Sequence, residues 1–416
     1  MSRPSQIKQF LALILVMAAP GCLPSSSSKS GQSSQSTAAV ETSEVEKTPP
    51  PLVQPGNPTA NPNVNPPANP PANPPAKTTD PLRLRVEAAL ASVHNRDLLI
   101  TNSFWTVFHG ILGMGPNTEL KDPETGKKHN ALDYIFSESG ANIRGLVFFP
   151  TDRGLDVQTV GINPFGKEHE AQGHQDQFLA EMIQWAVPAN RPVKIAAYPN
   201  RKFTLQDFVE ESKARCRIDG NQELGWCLIV VADYGGGTEA TWTNRANQKL
   251  KFEQLLDYEM IQDMDMAACG GTHRLFGLAW AYHRHMAHCQ KANKKPTEIW
   301  NRTKEFLEKY KDLSRKWQSS DGDFSTAHYR REEHLPDTEP RLAASGHIFE
   351  WLSQYVTDEE LRSVWMENGA KAVAQIILDS ERQPVASGSL YHAAHGLATY
   401  HTRRYNPKNE PAVAGK

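Results

Sequence analysis

One kind of helix start recurs along the chain, and this recurrence constrains the fold more than any other feature. At six places a polar or aromatic residue, usually beside a glycine or serine, precedes an apolar run of helical length. If the helices that follow stand side by side, their first turns surround one opening, which carries free backbone N–H groups. The starts are Ser103-Phe104-Trp105, Gly173-His174, Gly225-Trp226, Gly271-Thr272-His273, Ser345-Gly346-His347 and Ser389-Leu390-Tyr391-His392.

A repeat with an offset of 47 residues underlies these starts. The segment 203–209 aligns with the segment 250–256, and the same offset carries Trp226 onto His273. A small β-hairpin is predicted before each segment, one turning at 199–200 and the other at 244–247. A period of this length is typical of stacked or circular arrays of helix pairs.

The repeat predicts six helix pairs. The first helix of each pair is amphipathic and charged, whereas the second is more apolar and richer in small residues, so the second helices are expected to lie inside. We therefore expect an all-α fold, an α/α toroid of about six helix pairs with small β-hairpin insertions; an open solenoid is the alternative. The predicted pairs are 82–92 with 103–114, 131–137 with 174–186, 205–217 with 224–234, 252–264 with 273–286, 298–317 with 347–355, and 358–378 with 390–401.

The two ends of the chain differ in composition from this helical region. Residues 1–22 resemble a signal peptide with a lipobox-like end, which predicts export and lipidation of Cys22, although Ala19 stands where a lipobox usually has leucine. Ordinary signal cleavage nearby is the alternative. Residues 23–80 are rich in Ser, Pro and Asn and are interpreted as a disordered tether. The folded domain is expected over 81–405, followed by a flexible tail over 406–416.

Charge and cysteine content exclude some classes of function. The chain has 45 Lys and Arg residues against 47 Asp and Glu residues and no basic block, so a nucleic-acid partner is not expected. Four cysteines follow Cys22, with no C-x-x-C pair that would indicate structural zinc. In an exported protein Cys216 and Cys227 form either a disulfide or two buried thiols.

Two motifs resemble known families. The segment from Gln318 through Asp321-Gly322 to Phe324 resembles the Gln-x-x-Asp-Gly-x-Phe turn of the prenyltransferase and squalene-cyclase repeat superfamily, which implies an α/α toroid. The region 173–405 is also similar to uncharacterised exported bacterial toroid proteins, notably of planctomycetes. This second resemblance implies a fold and a compartment but no reaction; it rests on the segments 268–278, 321–326, 345–351 and 390–397.

The sequence departs from both enzyme types of that superfamily. Terpene cyclases use an Asp-x-Asp-Asp acid, and the segment 263–266 lacks its last Asp. Protein prenyltransferases bind zinc through Asp, Cys and His. Asp265, Cys269 and His273 supply those types, but Gly270 and Gly271 would break any helix that carried all three. We therefore assign no metal and no cofactor from the sequence.

The side chains at the helix starts form the candidate site. Histidine and tyrosine transfer protons near neutral pH, aromatic rings stack on sugars, and arginine neutralises a carboxylate. An enzyme acting on an extracellular, acidic carbohydrate is therefore the first hypothesis, and a non-catalytic ligand-binding or scaffold lipoprotein is the alternative. Metal binding by the histidines is a third possibility. The candidate catalytic residues are His273, His347, His392 and Tyr329, and the candidate substrate-binding residues are His174, Trp226, Arg274, Asp321 and Tyr391.

Overall fold

The computed structural model describes residues 80–162, 168–220 and 222–405. The expected signal peptide with Cys22, the tether up to residue 79 and the tail lie outside the described residues. None of the described helices has the length and apolar character needed to cross a lipid bilayer.

The described chain is mostly helical, as the sequence predicts. Three short 3₁₀ turns, at Glu138–Asn142, Ala268–Gly271 and Glu360–Arg362, accompany the α-helices. The α-helices are α1 Pro81–His94, α2 Phe104–Met114, α3 Ala131–Ile135, α4 Gln177–Gln184, α5 Leu205–Arg215, α6 Gly225–Asp233, α7 Phe252–Ile261, α8 Thr272–Ala292, α9 Glu298–Lys316, α10 Thr338–Tyr355, α11 Val364–Asp379 and α12 Ser387–Tyr405.

Small antiparallel hairpins connect several of these helices, and none of them joins another to make a larger or closed sheet within the described residues. Both hairpins of the predicted repeat are present, immediately before α5 and α7. The hairpins are β1 Glu119–Lys121 with β2 Lys128–Asn130, β3 Phe148–Pro150 with β4 Leu155–Val157, β5 Val160–Ile162 with β6 Glu168–Glu170, β7 Pro192–Val193 with β8 Phe203–Thr204, and β9 Thr241–Thr243 with β10 Lys249–Lys251.

Six helices, which we call the inner helices, contact one another in succession. These helices are α2, α4, α6, α8, α10 and α12. Each contacts the next one in this order, and α12 contacts α2. The helices between them pack on this set from other sides, for example α7 on α6 and α8, and α9 on α8. In α6 every residue from Gly225 to Ala232 is buried, whereas α9 exposes a charged face. The apolar core therefore lies among the inner helices.

Several helix boundaries differ from those expected. α10 begins at Thr338, which places His347 in its third turn and not at its start. Ser345-Gly346 does not cap this helix, since Gly346 lies within it and packs against Ala393. α12 begins at Ser387, which places His392 in its second turn. His174 precedes α4, and Gly271, not Thr272, is the N-cap residue of α8. The prediction that all of these groups belong to first turns was wrong.

Glycines let the inner helices approach closely. A Cβ atom on Gly277 of α8 would lie 2.1 Å from the carbonyl oxygen of Gly225 in α6. A Cβ atom on Gly346 of α10 would lie 2.8 Å from the Cβ of Ala393 in α12, and one on Gly113 of α2 would lie 2.8 Å from the ring of Tyr391. At these points the backbones meet with no side chain between them.

Replacing Gly277 by alanine should therefore destabilise the protein, by about 1–3 kcal/mol, because the added methyl group forces α6 and α8 apart. In a helix without this contact the same change would stabilise by about 0.5–1 kcal/mol. Urea unfolding of the full chain measures the difference. Gly220→Ala is the matched control, since a Cβ atom there meets nothing within 4 Å. A Gly277→Ala protein as stable as the control would contradict the close approach.

Candidate functional site

Five histidines from different parts of the chain meet among the inner helices, and we call them the histidine cluster. Neighbouring ring centroids are separated by 4.3 Å (His347 and His392) to 5.6 Å (His273 and His392). Four of the rings are no more than 5% exposed, and only His174 is half-buried. The cluster consists of His109 of α2, His174 before α4, His273 of α8, His347 of α10 and His392 of α12.

The Nδ1 atom of every ring in the cluster lies beside a carboxylate or a backbone carbonyl. Glu223 lies 2.9 Å from Nδ1 of His174 and 3.3 Å from Nδ1 of His273. Glu350 lies 2.8 Å from Nδ1 of His392. Nδ1 of His109 lies 2.8 Å from the carbonyl oxygen of Trp105, and Nδ1 of His347 lies 2.6 Å from that of Ala343. A carbonyl oxygen only accepts, so these two Nδ1 atoms donate, which leaves Nε2 of each ring for another partner.

The two carboxylates are held ionised by the histidines. Burial alone would raise the pKa of Glu223 and of Glu350, but the adjacent imidazoles hold the pKa of each below its usual range. The effect on the rings is not uniform. Burial lowers the pKa of His392 to about 4 even though Glu350 opposes the shift, whereas Cys269 and Glu223 overcome burial and raise the pKa of His273 to about 9.

Cys269, His174 and Glu223 form the solvent edge of the cluster. The side chains of His174 and Glu223 are each 21% exposed, and Cys269 is half-buried. The Cys269 Sγ atom and one nitrogen each of His174 and His273 all lie within 4.8 Å of one another. Burial would raise the pKa of the Cys269 thiol, but the nearby imidazoles of His273, His347 and His174 lower that pKa well below its usual value.

The local backbone at Cys269 is unusual. Cys269 has φ 47° and ψ 38° in the turn that leads directly into α8. Left-handed backbone conformations at residues other than glycine, asparagine or aspartate are uncommon, and they concentrate at functional sites. The thiol thus lies beside the N-terminus of a helix of 21 residues, a position that stabilises a thiolate.

The opposite, deep end of the cluster is fully buried. Nε2 of Gln177 donates to Glu181 Oε1 at 2.9 Å and lies 3.1 Å from Nε2 of His109. Burial raises the pKa of Glu181 and lowers that of His109, which favours the neutral form of both groups. Gln177 thus links His109 to Glu181, whereas its own Oε1 atom and Oε2 of Glu181 have no hydrogen-bond partner among the described residues.

The structure brings some predicted site residues together and leaves others apart. His174, His273, His347 and His392 lie in the cluster, and the Trp226 ring lies 4.8 Å from that of His273. Arg274 instead donates to the buried Glu259 at 2.6 Å.

The remaining predicted residues lie elsewhere. The Tyr329 hydroxyl accepts from Trp351 Nε1 at 2.7 Å and bonds Ser314 at 3.0 Å, so it is part of a buried packing network. Tyr391 packs against Gly113, and Asp321 is exposed in a turn.

The sequence offers a signal for the residues that were missed. Glu181 and Glu350 are single acidic residues inside otherwise apolar runs, and carboxylates are seldom buried without a partner. His392 and His395 are three residues apart on one helix, and both bond Glu350, at 2.8 and 2.7 Å. Cys269 had no signal beyond its residue type, because its left-handed backbone cannot be read from the sequence.

The cysteines of the described chain are all free thiols. Cys216 and Cys227 are buried, and the neighbouring Cys227 thiol together with burial raises the pKa of Cys216. Of the three residues weighed for zinc, Asp265 is exposed, whereas Cys269 and His273 face each other and His174.

A cavity of about 390 Å³, which we call the far cavity, lies at the C-terminal ends of the inner helices. Its wall includes Trp185, Trp280 and His395, and the last of these connects it to the histidine cluster through Glu350. Gln184 also lines it and is 9% exposed, yet neither its Oε1 nor its Nε2 atom has a hydrogen-bond partner. The sequence predicts an opening at the helix starts and gives no indication of this second space.

Comparisons with protein-family models, with curated proteins and with solved structures gave no match.

Proposed function

We propose that the inner helices form the inner ring of an α/α toroid of about six helix pairs. Their succession of contacts, with α12 returning to α2, supports a closed ring over an open solenoid. Hydrogen bonds between residues 47 positions apart support a regular repeat. Such bonds join Tyr234 to Val187, Trp280 to Asp233, Thr238 to His285, Trp300 to Glu253, and Tyr355 to Glu308.

We propose further that the protein is an enzyme with Cys269 as its nucleophile. The observation that carries this proposal is the position of Glu223, which contacts two imidazoles that both face the Cys269 thiol. A nucleophile, a base and a carboxylate that orients the base are the three parts of a nucleophilic catalytic site. His174 is the base, since its Nδ1 atom lies 2.9 Å from Glu223, whereas Nδ1 of His273 lies 3.3 Å from that carboxylate.

The reaction that suits these groups is acyl transfer to water. The Cys269 sulfur attacks the carbonyl carbon of an ester or amide, and the thiol proton passes through His174 to the leaving alcohol or amine. The resulting thioester is then hydrolysed by a water molecule that His174 deprotonates, which regenerates the thiol. Backbone N–H groups at the start of α8 lie next to Cys269 in the chain and are the natural donors to the developing oxyanion.

The substrate and the compartment of this proposal come from the sequence. The resemblance of residues 1–22 to a signal peptide with a lipobox-like end supports an exported protein anchored through Cys22, and an extracellular glycan that carries an ester or amide group is the substrate class we favour. Glycoside hydrolysis fits less well, because Glu223 and Glu350 are each bonded to histidines and Glu181 to Gln177. Tyr329 takes no part, since its hydroxyl is engaged by Ser314 and Trp351.

Alkylation of the full chain with iodoacetamide at neutral pH tests the nucleophile. Of the four cysteines that the structure describes, Cys269 should react first, because it is half-buried and beside a helix N-terminus, whereas Cys216, Cys227 and Cys289 are buried. Cys269→Ala should abolish hydrolysis of a chromogenic acetyl ester, and Glu223→Gln should lower its rate by about 10²–10⁴-fold.

Cys289→Ala is the matched control, since that thiol bonds His285 at 3.2 Å, well along α8 from Cys269. It should retain the parent rate. Alkylation of Cys269 no faster than that of the buried thiols, together with unchanged ester hydrolysis in Cys269→Ala, would rule out the nucleophile.

A second candidate function, ligand binding without catalysis, is favoured by the far cavity. Two tryptophans in its wall offer faces for a sugar ring, and the unpartnered amide of Gln184 offers one acceptor and one donor group. A volume of about 390 Å³ lies in the range of small-molecule sites. This cavity would serve a binding lipoprotein as well as an enzyme.

Gln184→Leu tests the second candidate. Removing two unpaired buried polar atoms should raise the stability of the ligand-free protein by about 1–3 kcal/mol and abolish any rise in melting temperature caused by glycan fragments. Thermal melting with and without neutral and acidic oligosaccharides measures both effects. Gln375→Leu is the control, since Gln375 is half-buried in α11 and its amide already donates to Asp379. If no sugar raised the melting temperature of the parent, or if Gln184→Leu responded to sugar as the parent does, Gln184 would not belong to a ligand site in the far cavity.

A further inference from the structure

The centre of the histidine cluster lies between the solvent edge and the deep end, and the proposed thiol chemistry does not use it. His273, His347 and His392 come from three different inner helices, and one nitrogen from each lies within 4.8 Å of the other two. The three side chains are 2%, 5% and 1% exposed. Three imidazoles are therefore buried with one nitrogen of each close to the same point.

One of these imidazoles has no partner at that point. Neither ring nitrogen of His273 makes a well-aligned hydrogen bond, although the residue is almost wholly buried. In His347 the Nδ1 atom donates to a backbone carbonyl, which leaves the lone pair of Nε2 directed elsewhere. An unpaired buried polar group is costly, so the His273 ring needs a partner where the three rings converge.

We propose that His273, His347 and His392 together bind a divalent transition-metal ion such as zinc. A cation accepts all three lone pairs at once, whereas a hydrogen-bond donor satisfies only one. Neutral imidazole is the commonest protein ligand for such ions, and three histidines are the protein ligands of one established type of catalytic zinc site. Fixed coordination of this kind leaves a fourth position open to water or substrate.

The groups behind the three ligands match those of known metal centres. Metal-binding histidines almost always donate their second N–H group to a carboxylate or a backbone carbonyl. Glu350 lies 2.8 Å from Nδ1 of His392, and Glu223 lies 3.3 Å from Nδ1 of His273. The carbonyl oxygen of Ala343 lies 2.6 Å from Nδ1 of His347. The two carboxylates also bring negative charge to balance the ion.

Two neighbouring sets of ligands overlap the central one and are weaker candidates. At the deep end, both ring nitrogens of His109 already have neighbours, at 2.8 and 3.1 Å. The set at the solvent edge shares His273 with the central set, but its other two members, His174 and Cys269, are only half-buried. Of the three sets found among the described residues, the central one is the one made of three buried imidazoles.

The test uses the full chain, purified without a histidine tag and freed of metal by a chelator, with Zn²⁺ and Co²⁺ as probes. Titration calorimetry should give one ion bound per chain. Bound Co²⁺ should show the strong visible absorption of a tetrahedral nitrogen site, without the near-ultraviolet charge-transfer band that a thiolate ligand adds.

Variants assign the ligands. His347→Ala removes a ligand that belongs to the central set alone and should weaken binding at least about 100-fold, and Glu350→Gln should weaken it about 10–100-fold. His109→Ala and His174→Ala are the matched controls, since each belongs to only one of the other sets. Both should bind Zn²⁺ as the parent does, and circular dichroism checks that every variant is folded.

Three results would overturn the proposal: no stoichiometric binding by the parent, a thiolate band that disappears in Cys269→Ser, or a loss of affinity in His109→Ala with none in His347→Ala. If His347→Ala fails to fold, the stoichiometry and the Co²⁺ spectrum of the parent still decide. The inference stands apart from the proposed nucleophile, since the metal is measured by binding and not by turnover.

Discussion

The close approach of the inner helices is the constraint on which the rest of the structure depends. Where Gly277 meets Gly225, and where Gly346 meets Ala393, the two backbones touch with no side chain between them. Helices this near leave little room inside, so side chains that point inward from different helices meet within a few ångströms. The small residues in these helices therefore create the histidine cluster as much as the histidines do.

Burial of so many ionisable groups is tolerable because most of them have a neighbour of opposite charge or a hydrogen-bond partner. A buried ion pair costs desolvation free energy that its own attraction barely returns. The Arg274–Glu259 pair, joined at 2.6 Å and bonded also to the backbone N–H group of Leu224, is complete in itself and ties α7 to α8. The histidine cluster is different, because its carboxylates hold one side of the rings and leave the other side free. This asymmetry distinguishes the Arg274–Glu259 pair, which joins two helices, from the histidine cluster, for which we propose a chemical role.

The sequence predicted the helical class and the hairpins before α5 and α7, because hydrophobic periodicity and turn residues are local properties. It also selected His273, His347 and His392, which do meet. It could not place Arg274 and Tyr329, since their partners, Glu259 and Trp351, are found only once the helices pack. The start of α10 was misplaced for a related reason: a glycine needed for close packing looks, in sequence, like a glycine at a helix end.

Glu350 has two carboxylate oxygens, and each is occupied by a histidine of α12. One oxygen holds His392 in the cluster, and the other holds His395 in the wall of the far cavity. A ligand in the far cavity that moved His395 away from Glu350 would leave more of the carboxylate charge near His392. A ligand bound by His392 would in turn leave less of that charge near His395. By thermodynamic linkage the two effects are equal in free energy. The histidine cluster and the far cavity thus share one negative charge, and a ligand bound at either one would change the affinity of the other.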